Sequence, residues 1–144
     1  MPLPVPEPGL VIQYEFLWRD EHKDGRDSGR KDRPCVIVVA VTEPQTGRKI
    51  VYVAPITHRP PTPPEDGVEI PLRLKQALGL DHLRSWVIVS ELNYFDWPGV
   101  DLRPVPGGAQ QFTYGLLPPR FFTALKRKIL DRTHNFGLAT PRSG

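Results

Sequence analysis

Three side chains in the first sixty residues are of types that act on phosphate esters, and they bracket two apolar runs: Arg33 precedes the first, and Thr57 and His58 end the second. A guanidinium stays charged at any working pH and grips two phosphate oxygens in a planar fork, which the point charge of a lysine does not reproduce. The Thr57 hydroxyl can add a hydrogen bond to the same phosphate. His58 is the candidate for moving protons, because an imidazole can both take up and give away a proton. Displacement at a phosphate ester asks for these functions: removal of a proton from the attacking hydroxyl, stabilisation of extra negative charge on five-coordinate phosphorus, and protonation of the departing oxygen. Each residue also has an ordinary role open to it. Arg33 can simply neutralise the Asp-rich loop before it, and His58 can be a loop histidine beside Arg59.

The surroundings extend the same chemistry. Arg30, Lys31 and Arg59 supply further cations for a phosphate backbone, and Trp97, in a loop between Asp96 and Pro98, is the best-placed ring for stacking a base. Trp18 and Trp86 are expected in the core. The single Cys35 lies inside the run Pro34–Val41 and reads as a small buried thiol, not a nucleophile. His22, His58, His82 and His134 are scattered, no pair has metal-ligand spacing, and no cofactor is implied.

The elements that must position these residues are mostly strands. Leu10, Ile12, Tyr14, Phe16 and Trp18 fall at every second position, the period of a half-buried strand. The β-branched runs 34–41 and 49–56, joined by the turn-rich 42–48, form a hairpin. Antiparallel pairing then returns the end of the second run beside the start of the first, so Arg33 and Thr57 should meet although 24 positions separate them. A short strand at 67–70, a helical turn over 72–78 stopping at Gly79, a strand over 85–92 and a loop leading into a short strand near 97–104 follow. A terminal helix over 119–133 presents Phe122, Leu125 and Ile129 on one face. The stretch 19–33, with six basic and five acidic side chains and two glycines, reads as a mobile lid over 19–32. The fold class is mostly β, a small barrel with a short helix and a C-terminal helix.

Composition bounds the rest. The length of 144 residues suits one domain spanning 1–144, with a Pro-rich arm over 1–8; 18 prolines spread along the chain exclude an all-helical fold. No apolar run reaches the length of a membrane span, and the arm lacks the pattern of a signal peptide, so a cytoplasmic protein without membrane contact is expected. Between Gly115 and Gly144, Arg120, Lys126, Arg127, Lys128, Arg132 and Arg142 outnumber Asp131, a basic end suited to phosphates or an acidic partner.

Pro8-Gly9-x-Val11 opening the first strand, a glycine-containing loop ending in Arg33-Pro34, and Pro55-Ile56-Thr57 closing the next strand occur in the order and spacing that resemble the MazF/PemK toxin family, with a Tyr-Gly-x-Leu segment before a terminal helix. The resemblance is close over the first sixty residues and loose beyond. It implies an SH3-like (CcdB/MazF-type) barrel, a homodimer, and a metal-independent endoribonuclease, an mRNA interferase cutting single-stranded RNA. It also implies a cognate antitoxin lying over the active surface. Arg33 and Thr57 carry over as functional residues. The family's acidic residue before Arg-Pro has only Asp27 as counterpart, and the stretch 72–106 exceeds a minimal toxin. Two other readings stand beside this one: a CcdB-like, non-enzymatic binder of DNA gyrase, against which the tail 139–144 lacks the expected apolar, tryptophan-containing end, and a degenerate toxin kept as an RNA- or protein-interaction module.

Overall fold

The computed structural model describes residues 3–23, 31–99, 101–108 and 111–142. Its elements run β1 (Leu10–Glu15), α1 (Arg19–Lys23), β2 (Asp32–Thr42), β3 (Lys49–Thr57), β4 (Gly67–Glu69), α2 (Leu72–Ala77), β5 (Trp86–Ile88), β6 (Leu92–Asp96), β7 (Leu102–Arg103), β8 (Thr113–Leu116), α3 (Pro119–Arg132) and β9 (Ala139–Pro141). The chain is mostly β. Its nine described strands share one sheet in the order β4-β5-β3-β2-β1-β7, with β6 also on β3, β8 on β1 and β9 on β6. Every pairing is antiparallel except β6 with β9. Among the described strands the ladder does not close on itself, so the sheet is open where a barrel was expected.

The β2–β3 hairpin forms the spine, paired from Cys35↔Pro55 to Thr42↔Lys49 with a register shift between Ile37 and Val39. Its loop is closed by Gly47, at φ +74°, whose N–H donates to the Glu43 carbonyl at 2.9 Å. Residues 35–38 read as a continuous apolar run because both faces of the sheet are covered. Val36 and Val38 pack with Val11, Ala54, Leu125 and Ile129 on the side of α3, and Cys35 and Ile37 pack with Ile12, Tyr14, Phe16 and Phe95 on the other. α3 seats against the start of β1, where the Phe122 ring lies 3.6 Å from the place a Cβ on Gly9 would take.

Three stretches differ from the sequence reading. β1 stops at Glu15 because the Leu17 backbone is taken up by the buried Asn93 side chain, whose Oδ1 accepts the Leu17 N–H at 2.9 Å and whose Nδ2 donates to its carbonyl at 2.7 Å. The strand expected over 85–92 is shorter, β5 at Trp86–Ile88, and a second strand that the sequence reading did not anticipate, β6, begins at Leu92. β5 pairs with the end of β3 at Ile56 and Thr57, and β6 pairs farther down at Ile50–Val53, so the chain steps across at 89–91 and leaves Ser90 and Glu91 off the ladders. The lid expected over 19–32 is structured at both ends: 19–23 is a helical turn, and Asp32 pairs with Glu15 as the first residue of β2. Residues 24–30, which include Asp27 and Arg30, lie outside the described residues.

Candidate functional site

At the end of the sheet where β2 begins and β3 ends lies an open groove of ≈ 870 Å³. Lys31, Arg33, Thr57, His58 and Arg59 all line it, as do Trp18, Asp20, Asp66 and Glu91. The hairpin register explains the meeting of Arg33 and Thr57. Pairing continued two residues beyond Cys35↔Pro55 sets Arg33 level with Thr57, as antiparallel strands require.

The Arg33 guanidinium lies over the Trp18 ring, 5.1 Å from its centroid, and its buried Nε has no hydrogen-bond partner among the described residues. Burial lowers its pKa from the ordinary arginine value, against upward pushes from Cys35 and Glu21. A partly desolvated cation in this state gains from an anion that arrives in the groove. Thr57 Oγ1 accepts the Arg59 N–H at 3.2 Å, which leaves its own hydroxyl proton to be donated outward.

His58 is held on both edges of its ring. Nε2 is 2.9 Å from Asp81 Oδ2, and Nδ1 is 3.3 Å from both Ser85 Oγ and the Arg84 carbonyl. The other Asp81 oxygen accepts the Lys75 ammonium at 2.6 Å and the Leu83 N–H at 3.1 Å. Burial pushes the Asp81 carboxyl up, but the Lys75 hydrogen bond, the Leu83 N–H and the charges of Lys75 and His58 outweigh it and hold its pKa below the usual aspartate value.

Sequence reasoning missed three parts of this site. Trp18, expected in the core, is half-buried: it packs against the core cluster, edge-on to Phe16 with ring centroids 5.1 Å apart, and also walls the groove, because the chain turns into α1 at the next residue. Glu91, placed inside a strand by composition, occupies the step between β5 and β6 and faces the groove. Its Oε1 accepts the Arg19 N–H at 2.8 Å. Burial raises its pKa above the usual glutamate value; the Arg19 N–H and charge oppose this, and Asp20 and Asp66 add to it. Such a carboxyl is a candidate base. The third part is the Lys75–Asp81 pair, which no local pattern announces because its members come from a helix and the loop after it.

Trp97 is not brought to the groove. It packs against Phe95 with ring centroids 6.2 Å apart, beside the core cluster of Ile12 and Tyr14. Trp86, also expected in the core, is half-buried with the Arg84 guanidinium over it at 5.0 Å. Cys35 is fully buried, and burial drives its thiol pKa far up, which leaves it inert. Part of the basic C-terminal end is internally committed. Arg132 pairs with Asp66, and Arg142 is buried, with Nη2 2.7 Å from Asp101 and Nη1 2.6 Å from the Glu15 carbonyl. Among the described residues no group of three or more histidine, cysteine, aspartate or glutamate side chains is arranged to hold a metal ion, and no helix is long and apolar enough to cross a membrane.

No family model, curated protein or solved structure matches the chain.

Proposed function

We propose that the groove cuts single-stranded RNA, in the manner of the MazF/PemK toxins that the motifs resemble. The observation that carries this reading is the convergence of Lys31, Arg33, Thr57, His58 and Arg59 on one groove, with an arginine that has ring contact but no hydrogen-bonded acceptor at its Nε. Arg33 would take two non-bridging oxygens of the scissile phosphate and Thr57 would donate to one of them, so that charge gathering on phosphorus is met by donors already in place. Lys31 and Arg59 would hold the flanking phosphates, as backbone-positioning cations do. Proton transfer from the 2′-hydroxyl and to the 5′-oxygen falls to His58, whose Nδ1, held only by two contacts of 3.3 Å, would exchange one of them for the RNA oxygen, with Glu91 as the second acid–base group on the groove wall.

On this reading the open sheet is a variant of the family's small SH3-like barrel. The protein would act in the cytoplasm as a homodimer, and a cognate antitoxin would cover the groove. No step needs a metal, because arginine, threonine and two acid–base groups supply each function. The test is to incubate the purified protein with mixed RNA in a chelator and map the new ends. Transesterification by the 2′-hydroxyl predicts 2′,3′-cyclic phosphate and 5′-hydroxyl ends. Intact RNA, or cutting that requires an added divalent ion, refutes the proposal.

A further inference from the structure

The one fully buried residue of α2 is a lysine. Lys75 is 1% exposed, and its ammonium is surrounded by three acceptors: Asp81 Oδ1 at 2.6 Å, Ser85 Oγ at 2.7 Å and the Leu83 carbonyl. That matches the three donors of an ammonium and is the condition under which a charge can be buried at tolerable cost. An apolar side chain would fill this one buried position of a largely exposed helix at lower cost, so the arrangement calls for a reason beyond packing. Asp81 supplies it. With one oxygen fixed by Lys75 and the Leu83 N–H, its other oxygen grips His58 Nε2 at 2.9 Å, on the residue next to Thr57.

We propose that Lys75 and Asp81 are positioning residues for His58, a buried-lysine-anchored carboxylate that fixes the imidazole at the groove; this rests on the phosphate-ester reading of that groove. The lysine has a second effect. A lone carboxylate beside a phosphate site repels its ligand, whereas a carboxylate ion-paired to an ammonium orients the ring and adds no net charge. The same atoms include a serine near a histidine and an aspartate, but a nucleophilic Ser85 does not fit. Ser85 is 1% exposed, its oxygen already accepts from Lys75, and the side pocket beside it, of ≈ 40 Å³, has room for a water and not for an ester.

The experiment is a double-mutant cycle on the full chain, reading single-turnover cleavage and, separately, binding of an uncleavable 2′-deoxy strand. Asp81→Asn keeps an oxygen against the Lys75 ammonium but removes the counter-charge of that buried cation, so rates are read well below each variant's melting temperature, and Lys75→Met with Asp81→Asn, which leaves no buried charge, is run beside it. Asp81→Asn should slow cleavage by about ten-fold or more while binding changes by less than about two-fold. In a His58→Gln background the same change should cost nothing further, because Asp81 acts only through His58. Equal losses in both backgrounds, or no loss in the parent, overturn the proposal. If the parent cuts no RNA, the groove reading fails, and the positioning claim is read instead from the ring ¹H–¹³C NMR signals of His58. Asp81→Asn and Lys75→Met must both move them, and ring signals that stay in place sink it.

Discussion

Arg33→Ala should separate activity from stability, because the guanidinium has little to lose in the free protein. Its stack on Trp18, at 5.1 Å, is worth about 0.5–1 kcal/mol in a partly exposed setting. Against this stands the relief of a partly desolvated cation whose buried Nε has no acceptor among the described residues. The net change in folding free energy should therefore stay within about 1 kcal/mol, or roughly 2–4 °C in Tm for a domain near this size. In the reaction the same side chain meets charge that develops only in the transition state. Loss of one such donor costs on the order of 10²–10³ in rate, about 3–4 kcal/mol of barrier. Arg33→Lys should fail nearly as badly, since the charge survives but the fork and the flat stack do not. Single-turnover cleavage and thermal melting, run on the same preparations, read both quantities. Cleavage within about two-fold of the parent would remove Arg33 from the site, and a fall in Tm beyond about 6 °C would make it a structural residue.

Thr57→Ala should also remove most activity, and combining it with Arg33→Ala should cost much less than the sum, because both donors serve one phosphate; full additivity in the rate measurements would separate them. Arg142→Ala leaves the Asp101 carboxylate, whose side chain is only 9% exposed, without its strongest partner. The expected loss is about 3–5 kcal/mol, roughly 10 °C in melting temperature, and Asp101→Asn in the same chain should recover part of it. Asp81 gives a pH signature. Its folded pKa lies below the ordinary value of 3.8, so the stability it contributes is present above that value and is lost as the pH falls through the folded pKa. Denaturant melts from pH 5 downward should show the parent losing more stability than Asp81→Asn once the pH drops below the ordinary aspartate range, and parallel curves would contradict this.

The hairpin and its consequence were legible because β-branched runs and a glycine-bearing loop are local signals, and antiparallel pairing alone sets Arg33 level with Thr57. The terminal helix was legible from Phe122, Leu125 and Ile129, with Leu125 and Ile129 fully buried. Trp18 was misplaced because its alternation with Phe16 and Tyr14 continues past the point where Asn93, 76 positions away from Leu17, ends the strand. The break between β5 and β6 was hidden for a related reason. Trp86–Val89 and Leu92 read as one apolar run, β6 carries Asn93 and Asp96 among its five residues, and only the pairing of β5 and β6 with different stretches of β3 shows that Glu91 stands between two strands, facing the groove. Lys75, Asp81 and His58 converge from a helix, a loop and a strand end, so no window of sequence holds the pattern. Lys75 in particular reads as a solvated helix charge.

The most direct test of the central claim is a crystal structure of the protein with an uncleavable 2′-deoxy single strand bound. One phosphate should sit between the Arg33 fork and the Thr57 hydroxyl, within hydrogen-bonding distance of both, with His58 beside the 2′-carbon or the 5′-oxygen. A strand that binds elsewhere on the surface, or a groove phosphate that touches neither Arg33 nor Thr57, would contradict it.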